Sequence, residues 1–148
     1  MSELKTLATC KPSEFLRQTN RIKNSLEKWL TLTDILNIRK RAAALEMVPK
    51  DGTTEERAAV FERNKKASED QAMRNLSAMW DAISKEHPDE TLELMSLCCF
   101  IEPAEIENYQ MRDILTAFNS LINDKAVIDF FTSLASLARM NTLNASKA

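Results

Sequence analysis

Glycine occurs only once in this chain of 148 residues, at Gly52. Sheets with tight corners depend on Asn-Gly, Asp-Gly or other glycine-rich turns. The one such pair, Asp51-Gly52, has no alternating apolar and polar residues beside it. Ala, Leu, Glu, Lys, Arg and Met, which are strong helix formers, together make up about half of the chain. The sequence therefore predicts an all-α protein, organised as a single domain of about six helices.

Helical spacing of the apolar residues suggests how that domain is organised. We predict a basic helical hairpin over residues 1–48, an acidic helical bundle over 53–140 and a flexible tail over 141–148. Pro12 suits the first turn of the first helix, where its missing N–H is not needed. The second helix of the hairpin is predicted to cover TDILNIRKRAAALEMV, with Thr33 or Asp34 as its cap.

One long central helix is predicted to run from Thr53 toward Glu86. Thr53 and Glu56 have the spacing of a capping box, in which hydroxyl and carboxylate satisfy backbone N–H groups reciprocally. Residues 62–71 are charged on every side, so this segment either bridges through solvent or needs a partner. An apolar stripe follows it, comprising Met73, Leu76, Met79, Trp80 and Ile83.

Three more helices are predicted after this one. They begin near Pro88, near Met111 and after Asp124, which is placed to cap the last of them. Apolar stripes predict the buried faces of the first helix and of the last two. The stripe of the first helix comprises Phe15, Ile22, Leu26, Trp29 and Leu30. The stripe of the helix that begins near Met111 comprises Ile114, Leu115, Phe118, Leu121 and Ile122, and that of the last helix comprises Val127, Phe130, Phe131, Leu134 and Leu137.

Two adjacent cysteines, Cys98 and Cys99, lie in the most apolar run of the chain, LELMSLCCFI. A zinc site needs about four ligands, usually in spaced pairs, and the other candidates, Cys10 and His87, are distant in sequence. A catalytic thiol needs a histidine and an electropositive, exposed setting. The pattern therefore predicts buried thiols that pack as small apolar groups.

Patterns typical of catalysis are missing. The single histidine, His87, precedes Pro88 at a helix start, where it would cap the helix or be exposed. One glycine is too few for a phosphate-binding loop, and the sequence has no G-x-S-x-G motif. Its carboxylates do not form the E-x-x-H spacing of helical metal sites. We expect no enzymatic activity, no cofactor and no metal site.

Charge is unevenly distributed along the chain. Residues 1–50 hold ten Lys/Arg and five Asp/Glu, whereas residues 51–148 hold ten and seventeen, which leaves the chain at −2. A basic N-terminal part and an acidic C-terminal part are compatible with binding to a charged partner or with head-to-tail self-association. The candidate partner-binding residues are the basic row on the first helix, Arg17, Arg21 and Lys28, and the cluster on the second, Arg39, Lys40 and Arg41.

Two kinds of partner are compatible with these basic residues. A helix-turn-helix over residues 13–41 would offer the Arg39–Arg41 cluster to DNA phosphates, but its turn has no glycine and the chain is acidic, with a pI of about 5.5. Amphipathic helices and seven methionines favour a module that binds helices of other proteins. The sequence therefore favours a protein partner over nucleic acid.

The sequence also bears on location. No run approaches the ~18 to 20 apolar residues that a membrane span needs, and residues 1–10, MSELKTLATC, lack the core of a signal peptide. Three cysteines, two of them adjacent, do not make a disulfide framework. We expect an intracellular protein without a membrane partner.

Several segments together carry a resemblance. They are KPSEFLRQTNRIKNSLEKWL with TDILNIRKR, then LELMSLCCFIEPAE, then LTAFNSLINDKAVIDFFTSLASLAR. In overall pattern the chain resembles the tail assembly chaperones of tailed bacteriophages and prophages, which are encoded just before the tape measure protein. The resemblance covers most of the chain and is strongest in the CFIEP and FFTSL segments.

The resemblance implies a small helical protein without enzymatic activity in the cytoplasm of the bacterial host. It implies that the chain binds the long, aggregation-prone tape measure protein and keeps it soluble during tail assembly, with the tail tube protein as a further possible partner. The chain could also form a homo-oligomer. The alternatives are a phage DNA-binding regulatory or packaging factor and a structural subunit of the virion.

Overall fold

The computed structural model describes residues 4–147, and it describes side chains for residues 4–140. No strand occurs in this part of the chain, so the all-α prediction is confirmed. A π-helical segment, Ala82–Glu86, follows α3, and a 3-10 helix, Pro103–Asn108, precedes α5. The α-helices are α1 Pro12–Thr33, α2 Ile35–Arg39, α3 Thr54–Asp81, α4 Pro88–Cys98, α5 Met111–Ile122 and α6 Lys125–Lys147.

The helix starts follow the local signals in the sequence. α1 and α4 begin at Pro12 and Pro88, as predicted. Thr53 caps α3 in a full capping box, in which the Glu56 N–H donates to Thr53 Oγ1 at 3.1 Å and the Thr53 N–H donates to Glu56 Oε2 at 3.3 Å. At the start of α6, the Val127 N–H donates to Asp124 Oδ1 at 3.0 Å. These interactions satisfy N–H groups that have no partner within the helix.

The second helix is much shorter than predicted. α2 ends at Arg39, so the prediction of a helix through residue 48 is wrong. Side chains of α3 bind the backbone of the following segment instead: Asn75 Nδ2 donates to the Arg41 carbonyl at 2.9 Å, and Asn64 exchanges two hydrogen bonds with the backbone of Glu46. Backbone groups held by α3 in this way are not available for helical bonds, so tertiary contacts override helix propensity.

A single residue separates α1 from α2. Asp34 adopts a left-handed conformation, with φ at 54°, and its side chain makes no capping bond to the backbone. The Asp34 carboxylate accepts a hydrogen bond from Asn37 Nδ2 at 2.7 Å instead. Asp34 is therefore the N-terminal cap residue by position, as predicted, while its side chain performs a different function.

Two helix ends also differ from the prediction. The long central helix does reach Glu86, but its last five residues, Ala82–Glu86, are π-helical. α6 continues through Lys147, so residues 141–147 of the predicted flexible tail have helical backbone. No glycine or proline follows Pro103, so nothing in this part of the sequence breaks the helix.

Contacts divide the chain into two units, residues 1–26 with 92–148 and residues 27–91. We call them the terminal unit and the middle unit. These boundaries fall within α1 and α4 and differ from the predicted subdivision at residue 48, which was placed at the loop before α3. Within the described residues, no helix combines the length and apolarity that crossing a membrane requires.

The terminal unit contains two apolar clusters. Cys99, Ile101, Ile114 and Ala117 form the first, and Leu7, Cys98 and Leu121 form the second. Cys98 is 6% exposed and Cys99 is 1% exposed. The prediction that the two thiols fill space in the core is therefore confirmed.

Backbone geometry at the end of α4 directs the two cysteines into the core. Phe100 has φ at 57°, and the Ile101 N–H donates to the Ser96 carbonyl at 2.9 Å. This is the pattern of a Schellman cap with phenylalanine at the left-handed position, where glycine is usual. The Phe100 side chain packs against the second cluster, and this packing compensates for the backbone strain.

The middle unit has a thinner apolar core. Its buried apolar residues are Ile35, Ile38, Val60 and Ala82. Polar contacts provide much of the remaining attachment: Arg63 binds both carboxylate oxygens of Glu46, at 2.6 and 3.1 Å. The charged segment 62–71 therefore finds a partner within its own chain, through Arg63 and Asn64.

Several stripes predicted as buried are largely exposed. In α5 the prediction is correct for Ile114 and Leu121, which are buried, but wrong for Leu115 and Ile122. The buried residues of α1 are the polar Gln18, Ser25 and Thr33. Exposed members of the predicted stripes in the other helices are Leu26 at 38%, Met73 at 64%, Leu76 at 58%, Trp80 at 64%, Phe130 at 43%, Phe131 at 43%, Leu134 at 46% and Leu137 at 56%.

Candidate protein-binding groove

A broad groove of about 1100 Å³ lies along α1 in the terminal unit. Its walls are mainly apolar, and Leu16, which belongs to them, is 70% exposed. The groove is therefore open to solvent at Leu16. The apolar residues that line it are Leu7, Leu16, Ile22, Leu26, Cys98, Leu121 and Phe131.

Aromatic packing positions α6 beside α1 at one side of the groove. The Phe15 ring lies 5.6 Å from the ring of Phe130 in an edge-to-face arrangement and 6.4 Å from the ring of Phe131 in a stacked one. Such aromatic pairs stabilise a defined geometry in addition to the area that they bury. Beyond this contact, α6 carries Leu134 and Leu137, which are about half exposed.

A buried amide holds the other side of α1. Gln18 is 5% exposed, and its Nε2 donates to the Leu97 carbonyl at 2.6 Å. That bond joins α1 to the end of α4, close to Cys98 in the groove wall. Sequence reasoning missed Gln18 because a lone glutamine within a polar stretch, RQTNR, has the appearance of a solvent-exposed residue.

Two of the predicted basic residues line this groove. Arg17 and Arg21 belong to its lining together with Lys23, and all three are exposed. The Arg21 guanidinium donates to both carboxylate oxygens of Glu102, each at 3.2 Å. A bidentate pair of this kind orients the guanidinium, so Arg21 is fixed beside the groove.

The other four predicted residues lie in the middle unit and do not line the groove. Lys28 is an exposed residue of α1. Arg39 ends α2 and Lys40 follows it as the C-terminal cap, with its backbone N–H donating to the Asn37 carbonyl, while the Arg41 N–H donates to the Ile38 carbonyl. Arg41 lies beyond the helix, so the cluster does not form one helical face.

The two buried thiols are poorly suited to nucleophilic chemistry. Burial raises the pKa of the Cys98 thiol to about 11, with a further contribution from neighbouring Cys99. Burial likewise raises the pKa of the Cys99 thiol to about 11. Reactive thiols have depressed pKa values and partial exposure. Within the described residues, no group of three or more His, Cys, Asp or Glu side chains is placed to hold a metal ion.

Comparisons of the chain with protein-family models, with curated proteins and with solved structures found no match.

Proposed function

We propose that this chain is a non-enzymatic protein that binds an amphipathic helix of a partner in the groove along α1. The observation that carries the proposal is the combination in the terminal unit of an open, apolar groove and basic side chains beside it. Helix-in-groove recognition uses this arrangement, in which an apolar stripe enters the groove and charges at its edge select the register.

The size of the groove supports a helix as the occupant. A helix about 10 Å wide fills roughly 1100 Å³ in about 14 Å of its length, which corresponds to between two and three turns. Sites for small molecules are usually enclosed and have volumes of about 300 to 1,000 Å³. The exposure of Leu16, at 70%, fits an extended protein partner better than an enclosed ligand.

The charge of the groove points to acidic positions on the partner. Arg17 is exposed beside the apolar lining, and opposite charges at the edge of an interface accelerate association and suppress wrong registers. A helix with an apolar stripe flanked by Glu or Asp would satisfy both features. Basic segments, by contrast, would be repelled.

In its specific form, the proposal is a tail assembly chaperone that keeps the phage tape measure protein soluble in the bacterial cytoplasm. The resemblance of the chain to such chaperones supports this form, because a tape measure protein is long, helical and rich in apolar stripes. The groove offers a place for one such stripe. The tail tube protein is the second partner that the resemblance implies.

Co-expression tests this proposal. The tagged full-length chain is expressed with the tape measure protein of its own tail gene cluster, and the soluble, co-purifying fraction is measured by mass spectrometry. Leu16→Glu is expected to reduce recovery about tenfold or more, since it places a charge in the groove. Leu115→Glu is the matched control, because Leu115 is 52% exposed in the same unit and does not line the groove.

Four results would overturn the proposal. Failure to recover the tape measure protein excludes the chaperone role, and equal loss with both variants excludes the groove as the binding site. Recovery of DNA alone would favour the alternative of a regulatory or packaging factor, and the presence of the chain in mature particles would favour a virion subunit. DNA binding has less support, because α2 is only five residues long and a recognition helix must extend into the major groove.

A further inference from the structure

The long helix α3 buries few side chains and exposes an apolar stripe. Only Val60 and Asn75 are buried among its 28 residues. At about 100° per residue, Met73, Leu76 and Trp80 lie within about 60° of one another around the helix. We call these three residues the outer stripe. They are between 58% and 64% exposed.

The contacts of α3 within the middle unit lie on the other side. Val60 and Asn75 point about 130° to 170° away from the centre of the outer stripe. Asn75 Nδ2 donates to the Arg41 carbonyl at 2.9 Å, and Gln71 Nε2 donates to Asn75 Oδ1 at 2.8 Å. The inner face of α3 therefore carries both the hydrogen bonds of Asn75 and the buried Val60, and the outer stripe points away from them.

An exposed tryptophan within a methionine and leucine stripe is typical of an interface. Trp and Met are enriched in the cores of protein interfaces, and Trp is prominent among the residues that dominate binding energy. With exposed fractions near 60% and side-chain areas on the order of 200 Å², the outer stripe offers about 400 Å² of apolar surface. A standard interface uses about 800 Å² from each partner, so the stripe forms the core of a modest interface.

We propose that the occupant of the outer stripe is the same stripe of a second copy of this chain, paired antiparallel about a twofold axis at Leu76. In this orientation the outer stripe faces complementary residues of α3 in the other copy. Placing Leu76 opposite its own copy brings Met73 opposite Met79 and the small Ala72 opposite the large Trp80. Alternating small and large side chains allow the two helices to interdigitate.

Charges at the ends of the stripe favour the same orientation. Lys65 and Lys66 precede the stripe by about two turns, and Glu86 follows it at a similar distance; all three are exposed. The antiparallel pair places the two lysines of one copy close to Glu86 of the other. A parallel pair would instead place the two lysines of one chain beside the same two lysines of the other chain, and these like charges repel. The twofold pair also closes on itself and does not propagate into a filament.

Sedimentation velocity of the full-length chain between about 10 and 500 µM tests the proposal. A modest interface predicts a monomer–dimer equilibrium within this range. Met73→Glu is expected to raise the dissociation constant at least tenfold. Met47→Glu is the matched control, because Met47 is 91% exposed in the same unit and lies outside α3. Circular dichroism confirms that both variants fold.

Crosslinking tests the orientation. Leu76→Cys is expected to form an interchain disulfide under mild oxidation, because the twofold axis brings the two sulfur atoms together, whereas Met47→Cys is expected not to. A monomer at every concentration, or a dimer that Met73→Glu leaves intact, would overturn the proposal. Sedimenting species larger than a dimer would also overturn it, because they would indicate a head-to-tail assembly of the chain and not a closed twofold pair. No residue of the outer stripe lines the α1 groove, so each proposal can fail independently of the other.

Discussion

The terminal and middle units are stabilised by different kinds of contact. In the terminal unit, residues from distant parts of the sequence form apolar clusters around Ile114 and Cys98. In the middle unit, much of the attachment of α3 is polar, through Asn64, Asn75 and the pair between Arg63 and Glu46. An apolar stripe is therefore buried in the core of its unit in one case and left exposed in the other.

The difference is clearest for α5 and α3. α5 buries Ile114 and Leu121 against the core of its unit, whereas α3 exposes Met73, Leu76 and Trp80. Apolar stripes that a unit does not use for its own core remain available to a partner. The following three experiments test this contrast, beginning with the largest expected effect.

Replacing Ile114 with alanine tests the core of the terminal unit. Ile114 is 1% exposed within an apolar cluster, so Ile114→Ala should lower the free energy of unfolding by about 2 to 5 kcal/mol, through lost burial and a residual cavity. Chemical denaturation measures the change. Leu115→Ala is the control, because Leu115 is 52% exposed and should change stability by less than about 1 kcal/mol. Similar losses in both variants would contradict the assignment of the buried face.

Raising the pH tests the burial of the two thiols. Because burial raises the pKa of Cys98 and of Cys99 from 9.0 to about 11, the unfolded chain loses these protons first as the pH rises. Stability should therefore be unaffected by the thiols below about pH 9 and should fall between about pH 9 and 11. The loss should approach about 2 to 3 kcal/mol per thiol.

Denaturation curves across this pH range measure the effect, with Cys98→Ala/Cys99→Ala as the control that should flatten it. At pH 8, a thiol reagent should label Cys10, which is half-buried, much faster than the other two cysteines. Rapid labelling of all three cysteines in the native protein would contradict the core position of Cys98 and Cys99.

Replacing Asn75 with alanine tests the polar attachment of the middle unit. Asn75→Ala removes the donor to the Arg41 carbonyl and should cost about 1 to 3 kcal/mol, because a part-buried acceptor loses its partner. Hydrogen exchange should accelerate most in residues 41–47 and α3. Ser77→Ala, at an exposed position of the same helix, should leave exchange unchanged. If Asn75→Ala also had no effect, the apolar contacts of Val60 would be sufficient to hold α3.

Local signals predicted where most helices begin. Pro12, the capping box of Thr53 and Glu56, Pro88 and Asp124 all lie at observed helix starts. These signals work because a cap satisfies backbone groups within a few residues of itself. The end of α2 could not be predicted in the same way, since it depends on Asn75, which is 34 positions from Arg41.

The candidate groove was predictable only in part. Arg17 and Arg21 were identified as a basic row on α1, and both line the groove. Lys28 belonged to the same row by helical periodicity, yet it lies outside the groove in the middle unit. The contributions of Leu7, Cys98 and Phe131 were not predicted, because they come from segments that are distant in sequence and meet only in the folded chain.

Composition and local signals are sufficient to predict that this protein is helical and where most of its helices start. Helix propensity is a local property of each segment, and a chain with one glycine and many strong helix formers has high propensity throughout. No tertiary information is therefore needed for that conclusion. Which apolar stripe is buried and which stays exposed follows from the folded arrangement, because burial depends on what else packs against a helix. For α5 the opposing residues are Cys99 and Ile101; for α3 the unit supplies polar partners on the opposite side, and the outer stripe stays exposed to solvent.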